Sequence, residues 1–192
     1  GQGLSELRCK RHQEHYRRHG SAWRKSYTSK ELAPYRAAAS RYLQEHANVP
    51  AIQKAASDLD WFMLACGRPV DAYSTRGRPT KERARIALAR VREAGKRGQD
   101  ILAVVLSVRA ITSDTVPGAD PDFLQMQIAK PIHRWASGTS RTPSGFPMPY
   151  RYERPEGGFM RLLGKWVLER AAAGIDQQAV LKVITLSKEL RK

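Results

Sequence analysis

Cys9, His12, His15 and His19 fall within a single short stretch, and no other segment gathers as many side chains able to ligate a metal or act as nucleophile and base. Cys9 and His12 have the spacing that puts two ligands on one helical turn. A structural zinc ion needs four ligands, so this pair would hold one only with ligands from residues preceding Gly1. His15 and His19 share a helix face at i, i+4, but two imidazoles alone make no structural site. We therefore expect no resident metal or cofactor, with Cys9 and His12 as the candidates if zinc binds. The acids suggest no catalysis. Asp58 and Asp60 stand two apart, hence on different faces of a helix, and Asp120 and Asp122 read as a helix cap and a first-turn residue. A two-metal nuclease needs several convergent carboxylates. No phosphate-cradling glycine loop, no H-E-x-x-H and no G-x-S-x-G occurs. His133, beside Arg134 and Trp135, reads as a structural histidine. The expectation is a protein without enzyme activity.

Charge is the stronger signal. The chain has 192 residues, 34 of them Lys or Arg against 18 Asp or Glu, for a formal charge of +16. Residues 1–50 carry ten cations against four acids, and residues 68–97 carry ten against three. Arg outnumbers Lys by 23 to 11, and the guanidinium forks onto phosphates and stacks on bases. Such self-repulsion calls for a polyanionic partner. A membrane surface is disfavoured because no amphipathic helix sets bulky apolar residues opposite its cations, and no apolar run is long enough to span a bilayer. With two cysteines and no basic segment followed by an apolar one near Gly1, we expect neither a disulfide framework nor a signal peptide. The expected setting is a reducing cytoplasm, in association with a nucleoid.

Three segments could bring that charge to a nucleic acid. Arg76-Gly77-Arg78-Pro79, flanked by Thr75 and Lys81, resembles the core of an AT-hook. That resemblance implies Arg76 and Arg78 lying along a narrow, electronegative A/T minor groove. The stretch from Cys9 to Gly20, with its Tyr16-Arg17-Arg18-His19-Gly20 ending, resembles the distal half of small Cys/His modules in phage and mobile-element proteins. The resemblance implies a zinc-braced basic helix facing nucleic acid, although here the upstream cysteine pair is missing. In the third, Arg141, Arg151 and Arg154 alternate with Phe146, Tyr150 and Tyr152, a composition that lets rings stack on bases while cations track a backbone; an ordinary surface loop anchored by its aromatics is an equal reading.

The elements that must position these residues read as helices. Ser5–His19 forms a polar helix closed by Gly20. Thr28 and Glu31 make a capping box for a second helix ending near Asn48. Pro50 opens a third, which offers Leu59, Phe62, Met63 and Cys66 to a core and stops at Gly67. Residues 67–80 read as a linker. Thr80 caps a helix to Ala94 that is cationic around most of its circumference, and Asp100 caps the buried helix ILAVVLSVRAI. Asp120-Pro121 starts a helix to Ala136 that Pro131 should kink or restart. Residues 137–158 hold four prolines and read as an arm, and two helices, Phe159–Ala173 and Asp176–Leu190, close the chain. Trp61, Trp135 and Trp166 are expected in the core, with Trp23, beside Arg24 and Lys25, a stacking candidate. The predicted architecture is an all-α, irregular bundle of six to eight helices: a basic N-terminal region over 1–66, the linker over 67–80 and a helical bundle over 81–192, or one continuous domain.

The function expected is double-stranded DNA binding by a bacterial, plasmid or phage regulator, with DNA favoured over RNA. Phosphates would be held by Arg8, Arg11, Arg17, Arg18, Arg24, Lys25, Lys81, Arg83, Arg85, Arg90 and Arg92. The alternative is a basic helical subunit of a protein and nucleic-acid assembly, such as a guide-RNA effector or a replication or polymerase-associated complex. A homodimer or a protein partner fits either.

Overall fold

The computed structural model describes residues 9–70, 75, 77–136, 140–141, 147–148 and 157–191. Among these the fold is all-α: α1 (Lys10–His19), α2 (Ser29–Glu45), α3 (Pro50–Ala65), α4 (Thr80–Glu93), α5 (Gly98–Thr115), α6 (Pro121–Ala136), α7 (Gly157–Ala171) and α8 (Gln177–Glu189), with a 3-10 turn at Ala172–Gly174. The sole sheet contact described is a two-residue antiparallel pairing of β1 (Ser140–Arg141) with β2 (Pro147–Met148).

The bundle is organised around α5. Ile101, Leu102, Val104, Val105, Leu106, Val108, Ala110 and Ile111 are all buried, so the helix is apolar around its whole circumference and needs neighbours on every side. It finds them in α2, α3, α6 and α8. Ser107 is fully buried there and donates to Val104 O at 2.9 Å, which satisfies its hydroxyl within the helix. Leu43, Ile52, Leu59 and Met63 belong to the same core as Leu88, Val105, Leu163 and Val180, so the apolar interior runs unbroken across the 67–80 segment.

Local chemistry sets most of the helix ends. The Thr28 hydroxyl accepts from Glu31 N–H at 3.2 Å while the Glu31 carboxylate accepts from Thr28 N–H at 2.7 Å, closing the capping box on α2. Asp176 caps α8 by accepting from Ala179 N–H at 2.7 Å. α5 starts two residues before Asp100, which stands at the third helical position and accepts from Arg97 N–H at 2.9 Å; Gly98 N–H goes to Asp60 of α3 at 2.7 Å. α4 starts at Thr80 with Pro79 as its flanking residue, and no side chain caps it. α6 runs through Pro131 without a break, because the ring is buried in the interior, where apolar burial offsets the one missing backbone bond. α7 lies so close to α6 that a methyl on Gly164 would stand 1.9 Å from Gln125 O.

Trp135 and Trp166 pack partly buried against the core, as does Phe62, whose ring meets Trp166 edge-on at 5.8 Å. Trp61 does not: its ring is 70% exposed on the outer face of α3. Phe62 and Met63 already occupy the inward directions of that turn.

Candidate nucleic-acid interface

α1 owes its place to a few polar contacts. Gly20 ends it at φ 74°, and its N–H donates to Tyr16 O at 2.8 Å. A side chain there would strike Asp122 O, at 2.4 Å from its first carbon, so the helix end sits directly on the start of α6. Tyr16 donates its hydroxyl to Asp122, and the Arg161 guanidinium lies 5.3 Å from the Tyr16 ring and 3.4 Å from the same carboxylate. Burial, then the Asp122 carboxylate, push the Tyr16 phenol up to about 12, so the phenol stays protonated and keeps donating. Anchored through Tyr16, the helix leaves Arg11, Arg17 and Arg18 exposed.

The segment after α1 is held by Gln127 of α6. This side chain is 2% exposed and fully used: its amide donates to His19 O at 3.1 Å and Ser26 Oγ at 3.2 Å, and its carbonyl accepts from Tyr27 N–H at 3.1 Å. His19 Nδ1 accepts from Ser26 N–H at 3.0 Å. Burial, and then the charges of Lys130, His15, Arg18 and Lys25, bring His19 down to about 4, so the ring is neutral at physiological pH and keeps this acceptor role. Ser21 Oγ accepts from Trp23 and Arg24 N–H, turning the chain outward. Trp23 ends 74% exposed, its ring 4.1 Å from that of His12.

This frame gathers cations that the fold itself does not neutralise. Arg11, Arg17, Arg18, Arg24, Lys25 and Lys30 have no ion-pair partner among the described residues. Arg36 of α2 and Lys130 and Arg134 of α6 adjoin them and are equally unpaired. No protein-family model, curated protein or solved structure matches the chain. The chemistry of this face is thus the basis for reading its function.

α4 uses its cations otherwise. Arg83 is 8% exposed and lies 5.2 Å from the Phe159 ring of α7. Arg92 donates to Met63 O, Leu64 O and Gly67 O at 3.0, 3.1 and 2.7 Å, closing the end of α3. These two guanidiniums, expected on phosphates, are engaged inside the fold. Arg90 is half-buried, and Lys81 and Arg85 are exposed. The helix packs on α3, α6 and α7, which covers most of the circumference expected to be cationic.

In the hook-like segment Gly77 is left-handed at φ 80°, inside a turn in which Arg78 N–H donates to Thr75 O at 3.2 Å, rather than the extended backbone a hook lays along a groove. Arg78 pairs with Glu82 in the first turn of α4. Arg8, Arg76, Phe146, Tyr150, Arg151, Tyr152 and Arg154 lie outside the described residues, and of Arg141 only the backbone is described. Cys9 Sγ and His12 Nδ1 are 3.0 Å apart, but no group of three or more potential metal ligands forms among the described residues. No helix among them is long and apolar enough to cross a membrane.

The sequence reading passed over Lys30, Arg36, Lys130 and Arg134. Lys30 and Arg36 lie in α2 and Lys130 and Arg134 in α6, far apart in the chain, and only the packing of α6 beside the 20–28 segment brings the two pairs together.

Proposed function

We propose that this chain is a non-enzymatic nucleic-acid-binding protein, a regulator of bacterial, plasmid or phage type that holds double-stranded DNA on the face built by α1, residues 20–28 and the flanks of α2 and α6. The observation that carries this reading is the run of exposed cations on that face without carboxylate partners among the described residues. Arg and Lys so placed lose no internal contact when they meet phosphates, and the release of counterions from DNA drives their association. The exposed Trp23 among them suits contact with a sugar or an unpaired base.

The test is fluorescence anisotropy of the full chain on A/T-rich duplex, G/C-rich duplex, single-stranded DNA and structured RNA across a salt series. Duplex DNA should bind tightest, with affinity falling steeply as salt rises. Arg17→Gln and Arg18→Gln should each flatten the slope of log K against log salt by about 0.9. Absence of binding even at about 50 mM salt would refute the reading.

A second reading is favoured by Trp61, 70% exposed, and Leu64, 54% exposed, one turn apart on α3. Apolar side chains of this size outside the core suit the subunit of a protein and nucleic-acid assembly. Weak binding to all four ligands by the isolated chain, together with self-association at high salt, would favour it.

A further inference from the structure

We propose that the surface where Ser29 and Arg36 of α2 lie beside Lys130 and Arg134 of α6 is a site for a dianionic phosphate group, held by these four side chains. The proposal deepens the nucleic-acid reading by naming the group this face holds most tightly, and rests on that reading only for the source of the phosphate.

Three cations converge here. Lys130 and Arg134 are one turn apart on α6 and so share a face. Arg134 comes within 3.4 Å of Ser29 Oγ, and Ser29 and Arg36 are two turns apart on the same flank of α2. Burial, and then the neighbouring Arg134 charge, disfavour the charged form of Arg36. None of the three has a carboxylate partner among the described residues. The closest acid in α2, Glu31, spends its carboxylate on Thr28 N–H and Thr28 Oγ, both at 2.7 Å.

Donors are left over as well as charge. Arg36 Nε is buried and has no hydrogen-bond partner, an arrangement that costs free energy unless an acceptor arrives. Lys130 gives one of its three protons to Ser26 Oγ, itself fixed by Gln127, and retains two. Burial and the Arg134 charge bring the Lys130 ammonium down to about 8, the mark of a cation packed without a counterion. A carboxylate would neutralise one of three charges and a backbone phosphodiester likewise one. A phosphate dianion neutralises two and offers enough oxygens for the guanidinium forks and the ammonium together. The dianion can come from the phosphorylated end of a strand or from free phosphate.

Thermal melting of the full chain in sodium phosphate against sodium chloride at matched ionic strength is the first arm. Phosphate should raise the Tm of the wild type, and Lys130→Gln and Arg134→Gln should remove that gain. Phosphate stabilises proteins generically through exclusion from their surface, so an equal gain in both variants and the wild type would overturn the site, as would no gain in the wild type. Arg134 is exposed, so its variant keeps the comparison valid if Lys130→Gln perturbs the 20–28 segment. The second arm compares labelled oligonucleotides with a 5′-phosphate and a 5′-hydroxyl. About tenfold tighter binding of the phosphorylated end, lost in Lys130→Gln, assigns the site to strand ends. Equal affinity of the two, with the phosphate gain intact, assigns it to free phosphate. Failure of both oligonucleotides to bind while phosphate still stabilises leaves the site standing and removes the nucleic-acid reading.

Discussion

Arg92→Ala separates a cation that builds the fold from one that meets the ligand. The guanidinium spans three carbonyls at the end of α3, those of Met63, Leu64 and Gly67, at 3.0, 3.1 and 2.7 Å. The last carbonyls of any helix lack partners within it, so these are the bonds α3 would otherwise leave to water. A hydrogen bond is worth about 1 kcal/mol net, somewhat more with a charged donor. Leu64 and Gly67 are exposed and their carbonyls regain water when the side chain is removed, so we expect a loss of about 2 kcal/mol. For a chain of this length that lowers the Tm by roughly 4–8 °C. Arg92→Lys should recover little of it, because a single ammonium cannot bridge three carbonyls as the planar fork does. Urea and thermal unfolding measure the loss, and anisotropy at several salt concentrations measures duplex binding on the same samples. The expected pattern is lower stability with an unchanged salt slope for both variants. Wild-type stability combined with weakened duplex binding would refute the reasoning, since Arg92 would then be spending its charge on phosphate.

Two further outcomes follow from the interior. His133 is buried against Phe159, and burial followed by the charges of Arg90 and Arg83 lowers it to about 4 from 6.5. Because the folded value lies below the unfolded one, the neutral ring supports full stability above pH 6.5, and stability falls as pH drops from 6.5 towards 4. At about 1.4 kcal/mol per pH unit the loss is about 3 kcal/mol, and His133→Gln should flatten this part of a stability-against-pH curve measured by urea unfolding; an unchanged slope would show that His133 does not titrate with folding. His19 titrates in the same range, so the flattening should be partial. Gly164→Ala places a methyl 1.9 Å from a backbone oxygen of α6, which no rotamer can relieve, and should cost about 3 kcal/mol; a melting temperature equal to the wild type would mean that α6 and α7 are not so closely apposed.

How far these features could be read from the chain depends on the distance over which they are decided. The all-α class, the Thr28 and Glu31 box, the Gly20 stop and the Asp176 cap are settled within four or five residues, where propensity and a single hydrogen bond are decisive. The uniform burial of α5 was legible for the same reason, since an apolar helix has to be covered whatever covers it. Pro131 shows the limit. Its local cost was visible, but the core that absorbs its ring was not. Trp61 shows it from the other side, because its exposure depends on which of two adjacent aromatic residues the third dimension selects.

The interface was the least legible part, because charge in a sequence does not say which acceptor it will find. Arg83 and Arg92 look like Arg17 and Arg18 when read along a helix, but Phe159 and the α3 carbonyls, far away in the chain, claim the first pair. Arg17 and Arg18 stay exposed, without an ion-pair partner among the described residues, while α1 is tied down through Tyr16 by Asp122 and Arg161. The decisive residue in the arrangement is uncharged. Gln127 carries no sequence signal of function, but its amide fixes His19, Ser26 and Tyr27 over α6, and so delivers Lys130 to Ser26 and Arg134 to Ser29. A cation that the fold leaves without an acceptor is a functional signal only once the fold is known, and among the described residues such cations collect where this glutamine holds the N-terminal segment down.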